Sequence, residues 1–404
     1  MQYIGLDVHK QFIVATTLTA AGQVAREERL PTTRTALEAF AQRLSPDDAL
    51  ALESTTNAWP VYHLLAASGG RVVVSNPLQT KAIASAKIKT DKVDSRVLAE
   101  LLRADYLPLV WVPDPATQAR RQLCSYRQAL VRQRTQVKNR LHALLHRNLV
   151  PLPPFSDLFG RRGQAFLQEI ALPPLERFQA DQELVLLEVL DLQVAELDHQ
   201  LAQAAVDSPE LRLLLTLPGF SLQVGMGVLA AIGDIQRFPQ PKRLVSYLGL
   251  DPLGRCSADR HLGPTCISKR GRSHARWLLV EAATAAVRSP GPLAAFYLRL
   301  RVKKGHSKAI VAVARKLACL AWQLLTSGEP YLWAPPLHTA EKLRRVELLA
   351  GQPKRKPGAK PGQPSAGGRP AYLARRRSDQ DLAKLAQAQY EQLVELRAQV
   401  REGS

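Results

Sequence analysis

The sequence predicts an α/β protein: a mixed β-sheet with helices at the N-terminal end, then a helical linker, then a second, mainly α-helical region. Three observations lead there. Over residues 1–104, short apolar or β-branched runs alternate with helix-length segments. A long basic helix and a heptad-patterned helix follow over residues 116–205. From Leu213 to about Ser327 the apolar residues again recur with helical spacing.

Tyr3-Ile4-Gly5-Leu6-Asp7 is a short apolar strand ending in an acid, and Phe12 to Leu18 is a β-branched second strand. Ala20-Ala21-Gly22-Gln23 reads as a turn into a third strand from Val24 to Leu30. Thr33 can cap a helix from about Thr35 to Leu44. Ala49-Leu50-Ala51-Leu52-Glu53 is a buried fourth strand that also ends in an acid, followed by a helix around Trp59 to Ser68. Arg71 to Asn76 is a fifth strand closed by Pro77, and Asp91 opens a helix reaching about Ala104. Three hairpin-connected strands, then helix, strand, helix, strand, helix, is the order of an RNase H-like mixed sheet, although other α/β folds share pieces of it.

Ala116 to about Asn148 reads as one basic helix carrying Arg120, Arg121, Arg127, Arg132, Arg134, Lys138, Arg140 and Arg147 over a stripe of Leu123, Leu130, Val137, Leu141 and Leu144. Pro151, Pro153 and Pro154 end it. In the next helix, Asp181 to Ala205, residues Leu187, Leu190, Val194, Leu197 and Leu201 alternate steps of three and four, a seam that calls for a partner helix in the same chain or in another subunit. Leu217-Pro218-Gly219-Phe220, followed by Val224-Gly225-Met226 and an apolar run to Ile232, is similar to a helix–hairpin–helix, with Ser221 in place of the second hairpin glycine. Such a hairpin either offers N–H groups to phosphate or simply packs two helices. Gly351 to Arg369 is rich in Gly, Pro and basic residues and is expected to be disordered, and Gln380 to Arg401 reads as an exposed amphipathic helix.

Composition narrows the partners. Lys and Arg outnumber Asp and Glu by 55 to 35 over 404 residues, a formal charge of +20 spread through helices as well as the tail. A nucleic acid is the simplest counterpart. No run is expected to reach the roughly 20 apolar residues of a membrane span. The first strand begins at once, so no leader peptide is expected, and the cytoplasm of a bacterium, near its nucleoid, is the expected location. Cys124, Cys256, Cys266 and Cys319 form no C-x-x-C pair and are expected to be reduced, mostly buried thiols.

Asp7, Glu53, Asp91 and Asp94 are the candidate catalytic and metal-ligating residues. Asp7 and Glu53 end strands that lie side by side in such a sheet, and Asp91 and Asp94 share one helix face. Mg²⁺ takes hard oxygen ligands, and two ions about 3.5–4 Å apart can serve an attacking and a leaving oxygen. Each acid has an ordinary alternative: Asp91 as a helix cap, Asp94 as a first-turn acid favoured by the helix dipole. A second candidate lies between Gly249 and Gly271, where a serine could attack a phosphodiester amid Arg255, Arg260, His261, Lys269 and Arg270. On chemistry alone Ser257 and Ser268 compete for that role, with Ser268 also readable as a helix cap.

Several runs taken together resemble the DEDD transposases of the IS110 insertion-sequence family, which includes Piv-type DNA invertases. They are Ile4-Gly5-Leu6-Asp7-Val8-His9-Lys10, Leu52-Glu53-Ser54-Thr55, Lys89-Thr90-Asp91-Lys92-Val93-Asp94 and Lys138-Asn139-Arg140-Leu141-His142, then Leu217-Pro218-Gly219, Ile232-Gly233-Asp234, Tyr247-Leu248-Gly249-Leu250 and Ile267-Ser268-Lys269-Arg270-Gly271. The resemblance covers about residues 1–150 and 210–330. It implies a RuvC-like nuclease domain over 1–150, a coiled-coil linker over 175–206 and a transposase domain over 207–335, leaving a basic tail over 336–404. It implies a metal tetrad of Asp7, Glu53, Asp91 and Asp94 for Mg²⁺ (two ions, Mn²⁺ as a substitute). It also places the nucleophilic serine five residues beyond the Gly-Leu-x-Pro turn, which is Ser257 here. Where the family has Glu-Ala-Thr-Gly after its second acid, this chain has Glu53-Ser54-Thr55-Thr56. Expected partners are DNA ends and target, contacted through Arg134, Lys138, Arg140, Arg255, Lys269 and Arg270, a structured guide RNA, and further copies of the chain as a dimer or tetramer that brings acids and serine together. The function implied is DNA strand cleavage and exchange in transposition. A hydrolytic junction resolvase, a site-specific invertase and a non-enzymatic nucleic-acid-binding protein are the alternatives.

Overall fold

In the computed structural model the chain divides into two units, Met1–Pro113 and Asp114–Ser404. The described residues are 1–84, 90–154, 157–253, 255–257, 260–262, 266–353 and 369–402; of 255–257, 260–262, 369–370 and 401–402 only the backbone path is described.

The N-terminal unit is built on one sheet. Its strands are β1 (Tyr3–Val8), β2 (Phe12–Leu18), β3 (Val24–Pro31), β4 (Ala49–Glu53) and β5 (Arg71–Ser75), and their order in the sheet is β3-β2-β1-β4-β5. The first three pair antiparallel, while β4 runs parallel to both β1 and β5. The expected adjacency of the first and fourth strands is therefore present, with Leu6 opposite Leu52. The central strands are apolar because both faces are covered; Leu6, Ile13, Leu50 and Leu52 are almost wholly buried.

Helices α1 (Arg34–Ala41), α2 (Ala58–Ala66), α3 (Pro77–Ile83) and α4 (Asp91–Arg103) complete the unit. Thr33 caps α1 by accepting from the Ala36 amide at 3.3 Å. Pro77 does not simply close β5; it is the first residue of α3, capped by Asn76, whose Oδ1 accepts from the Leu78 amide at 3.1 Å. Proline fits there because a first-turn amide has no intrahelical acceptor to lose.

The second unit is helical, with α5 (Pro115–Arg147), α6 (Arg161–Glu169), α7 (Pro174–Gln203), α8 (Pro209–Leu215), α9 (Leu222–Ile232), α10 (Pro241–Tyr247), α11 (Ser273–Ala286), α12 (Pro292–Lys304), α13 (His306–Ser327), α14 (Pro336–Leu349) and α15 (Arg369–Glu402), plus a short hairpin of β6 (Arg255–Ser257) and β7 (Arg260–Leu262). The basic helix predicted for residues 116–148 is α5; it opens this unit rather than closing the first. Asp114 caps it, accepting from the Thr117 amide at 2.8 Å.

The heptad seam on α7 finds its partner within the chain. Leu187, Leu190 and Val194, with Leu197 beside them, pack on Leu130, Val137, Leu141 and Leu144 of α5. Four ion pairs flank the seam in antiparallel order: Arg127–Asp198 at 2.7 Å, Arg134–Asp191 at 2.9 Å, Arg140–Glu183 at 2.5 Å and Arg147–Glu176 at 3.0 Å. α7 starts earlier than the predicted Asp181, with Pro174 at its first turn.

α13 corrects one expectation, because it does have the length and hydropathy of a membrane span. Its Ala309, Ile310, Val313, Ala314, Leu317 and Ala321 are buried in the core of the helical unit, which explains the apolar composition. The hairpin between α8 and α9 is likewise turned inward: Leu217 and Phe220 are buried, and a Cβ on Gly219 (φ +79°) would meet the Ala282 carbonyl of α11 at 2.0 Å. Packing of helices is thus what this glycine serves. The tail helix α15 is less of an appendage than its composition suggests, since Ala386 is buried and Gln387 accepts from the Gly291 amide at 3.1 Å. Most of the Gly/Pro-rich stretch expected to be disordered, residues 354–368, lies outside the described residues. Among the described cysteines, Cys124 is buried, Cys319 half-buried and Cys266 exposed, all as free thiols.

Candidate active site

The site begins with a glycine. A Cβ at Gly5 on β1 would lie 1.9 Å from the Ser95 carbonyl and 2.7 Å from the Ala99 amide, so α4 crosses β1 at a distance no other residue permits. Beside the crossing, the buried hydroxyls of Thr16 and Ser95 are 2.7 Å apart, fixing β2 to the same turn of α4. This close approach carries the N-terminus of α4 to the C-terminal end of β1. Thr90 caps α4 by accepting from the Val93 amide at 3.3 Å, and Asp91 and Asp94 follow in its first turn.

Asp7, Asp91 and His9 meet there. His9 Nε2 lies 3.0 Å from Asp7 Oδ2 and 3.4 Å from Asp91 Oδ1, and one ligand atom from each residue falls within 4.8 Å of the others. Asp7 is the inner member, with a side chain 19% exposed against 48% for Asp91. Burial raises the Asp7 carboxyl above the usual carboxylate range; His9 pulls it down, while Asp94 and Asp91 push it further up. Asp94 therefore acts on Asp7 electrostatically without belonging to the three-residue group. Glu53 ends β4, one step past the Leu6–Leu52 pair, and is half-buried; it too lies outside that group.

The carboxylate oxygens of Asp7 and Asp91 with a neighbouring imidazole fit a divalent cation, because the nearby acids raise the Asp7 pKa and a cation would reverse that. His9 stands in the same Ile4–Lys10 run as Asp7, where sequence alone gives it no role. Its signal was positional: it follows Asp7 by two residues just past the strand end.

In the helical unit, the segments around residues 249–252 and 266–272 run together. Ser268 Oγ donates to Asp251 Oδ1 at 2.5 Å, and the Ser268 amide donates to the Asp251 carbonyl at 2.9 Å. Ser268 is thus pinned to the Gly-Leu-Asp-Pro turn and caps nothing; α11 begins after Arg272. Lys269, held at φ +54°, and Arg270 are both exposed beside it. Ser257 ends β6, opposite Arg260, and Arg255 begins that strand, but the side chains of both lie outside the described residues. The other expected nucleic-acid contacts are differently occupied. Arg134 and Arg140 belong to the α5–α7 ion-pair ladder, and the Lys138 ammonium sits 4.7 Å from the Phe159 ring centroid.

Comparison with known proteins bears on this arrangement. A DEDD transposase model of the IS110 family matches residues 4–149, and a second model, described as the transposase family of IS116, IS110 and IS902, matches residues 211–298, together more than half of the chain. The chain belongs to the IS110 family of transposases. The transposase of insertion element IS1111A from Coxiella burnetii is 26% identical over 251 residues, covering 60% of this chain and 68% of that protein. The transposase of IS1328 from Yersinia enterocolitica is 25% identical over 297 residues, covering 70% and 85%. A pilin gene-inverting protein of Moraxella bovis is 29% identical over 144 residues, 34% of this chain and 45% of that protein. Membership in this IS110 family makes the chain a DNA-processing protein of the transposase and recombinase class, and the Asp7–His9–Asp91 group falls inside the first matched region.

Proposed function

We propose that this chain is a metal-dependent DNA transposase with an RNase H-like, RuvC-like N-terminal domain. In this reading Asp7, Glu53, Asp91 and Asp94 hold Mg²⁺, two ions with Mn²⁺ as a substitute, and Ser257 is the nucleophile. The observation that carries it is the convergence of Asp7 and Asp91 with His9 at the end of β1. Bound at these acids, Mg²⁺ would polarise a phosphoryl oxygen and lower the pKa of an oxygen nucleophile. The protein's own part is positional. Gly5 lets α4 approach, the Thr90 cap sets its first turn, and Asp7 is held half-buried near the end of β1.

At the second site the Ser257 oxygen would form a bond to phosphorus as the bond to a deoxyribose oxygen breaks, which conserves a phosphodiester for the rejoining step. Lys269 and Arg270, exposed on the neighbouring segment, would offset the charge that builds on phosphorus. Serine rather than water as the attacking group rests on the family resemblance, which places its nucleophilic serine at the position of Ser257, five residues beyond Pro252. The family resemblance brings a structured guide RNA in addition to DNA, and the +20 charge is compatible with both polymers. Exposed Val185, Leu186, Val189 and Leu192 on the outer side of α7 support assembly with further copies, as a dimer or tetramer.

A DNA substrate carrying element ends tests the reading. Wild type should leave a protein–DNA adduct that survives denaturation, Ser257→Ala should bind without forming it, and Asp7→Asn should lose metal-dependent strand transfer. Cleavage without an adduct would make the protein a hydrolytic resolvase, and full activity in EDTA would remove the metal site. The similarity to a pilin gene-inverting protein favours inversion as the second reading, and sequencing the products separates inversion from insertion.

A further inference from the structure

Tyr247 closes α10 at a place where three guanidinium groups converge. Arg272 Nε donates to its hydroxyl at 2.9 Å and Arg121 Nη2 approaches at 3.5 Å, while the Arg237 guanidinium carbon lies 4.3 Å from the ring centroid. Two of the three arginines have structural work. Arg121 Nε donates to the Ala230 carbonyl at 2.7 Å and Arg237 Nε to the Ile232 carbonyl at 2.8 Å, so both close the C-terminal end of α9. Arg272 does not share it. It is exposed, it spends only Nε on Tyr247, and its two terminal nitrogens have no hydrogen-bond partner among the described residues.

The phenol is in an unusual position. Its oxygen meets only donors among the described residues, so its own hydrogen has no acceptor there. Burial alone would raise its pKa, but Arg272, Arg237 and Arg121 outweigh burial and hold it below the ordinary tyrosine range. The arginines suffer in turn: burial, together with its neighbours Arg272 and Arg237, lowers Arg121 to about 10. Asp234 is the acid that acts on Arg237 in this group. α11 starts directly after Arg272 without a side-chain cap, and the backbone turns tightly there, since a Cβ on Gly271 (φ +128°) would lie 2.2 Å from the Tyr247 carbonyl.

We infer that Arg272, held edge-on by Tyr247, is a phosphodiester clamp: its terminal nitrogens and the Tyr247 hydroxyl hydrogen grip one backbone phosphate of a bound nucleic acid. Fork geometry suits a phosphate, a pre-oriented guanidinium gives up little freedom on binding, and an anion relieves the mutual repulsion of the three arginines. Tyr247 is the positioning residue and Arg272 the contact. The inference rests on the proposed function only in taking nucleic acid as the ligand. It needs neither the metal nor the serine.

Fluorescence anisotropy on the full chain in EDTA, with a duplex DNA of the element end and a folded RNA transcribed beside it as separate probes, tests it across a salt series. Arg272→Ala should weaken binding to at least one probe roughly tenfold and reduce the magnitude of its salt slope by about 1. Arg272→Lys should recover little, because the charge returns without the fork, and Tyr247→Phe should weaken the same probe several-fold with an unchanged melting temperature. Arg301→Ala, which removes another exposed arginine, controls for bulk charge. The probe that responds names the polymer. If neither responds, if Arg301→Ala matches Arg272→Ala, or if Arg272→Lys restores full binding, the clamp is overturned and the cluster only closes α9. Strand transfer that needs neither the metal nor Ser257, with the binding pattern intact, would count against the proposed chemistry and leave the clamp standing.

Discussion

In the N-terminal unit Asp7 and Asp91 meet at the end of β1, with Asp94 close enough to perturb Asp7; in the helical unit Arg121, Arg237 and Arg272 meet around Tyr247. Each group concentrates one sign of charge in partly buried surroundings, which is costly unless a counter-charge arrives. The acids are suited to a cation and the arginines to an anion. The scaffolds differ as well. The acids are brought together by a sheet and a helix that touch at Gly5, whereas the helical unit is held by apolar seams such as Leu187 on α5, with ion pairs along the margin. Folding places both clusters by packing elsewhere, and the charges themselves are carried at a cost.

The largest expected effect tests the acidic side. Asp7→Asn should reduce strand transfer by roughly a thousandfold, the scale of several kcal/mol of lost transition-state stabilisation. The same change should raise the melting temperature at neutral pH, and divalent cations should stabilise wild type but not the variant; a lower melting temperature would mean the acid is structural.

Leu187→Ala then asks what holds the helical unit. It should cost about 2–5 kcal/mol in urea unfolding, because a nearly dry seam position loses its side chain. Gly5→Ala should cost about 1–3 kcal/mol by overpacking against Ser95 and should also lower metal affinity, since α4 must move away from β1. Unchanged metal affinity would break the link drawn between that crossing and the acids.

Two smaller effects sharpen the contrast. Asp7 titrates higher in the folded protein than its ordinary 3.8, so the folded state holds the extra proton. Its contribution is therefore present below that value and is lost as pH rises through the raised folded pKa. Asp7→Asn should flatten the stability–pH curve in that window, a difference readable from urea midpoints. Arg140→Ala should cost at most about 1 kcal/mol, because its pair with Glu183 is half-exposed. A loss as large as that of Leu187→Ala would show that charge, not burial, joins α5 to α7.

The apolar strand runs, the cap at Thr33 and the three-four spacing on α7 were legible in the chain, because hydrophobic period and capping chemistry act over a few residues, while the cap of α4 is Thr90 rather than Asp91. The sheet elements and the placement of Asp7 and Glu53 at neighbouring strand ends followed from them. Several things did not. Pro77 reads as a strand terminator until Asn76 is seen capping a helix behind it. The heptad seam could not say whether its partner was α5 or another subunit. The pairing of Arg134 with Asp191 and of Arg140 with Glu183 could not be read from local pattern. His9 has one partner, Asp7, close by, but its other partner Asp91 and the arginines around Tyr247 lie far away in sequence and gave no pattern.

By itself, then, the order of residues determined the elements, the acids that end them, the strongly positive balance and the family. Tertiary structure alone decided which charges meet: Asp7 with His9 and Asp91 because Gly5 admits α4, Arg272 with Tyr247 because the turn at Gly271 folds onto α10. The physical reason is range. Periodicity and caps are local, whereas the energy of a charge depends on every neighbour that packing brings within a few ångströms.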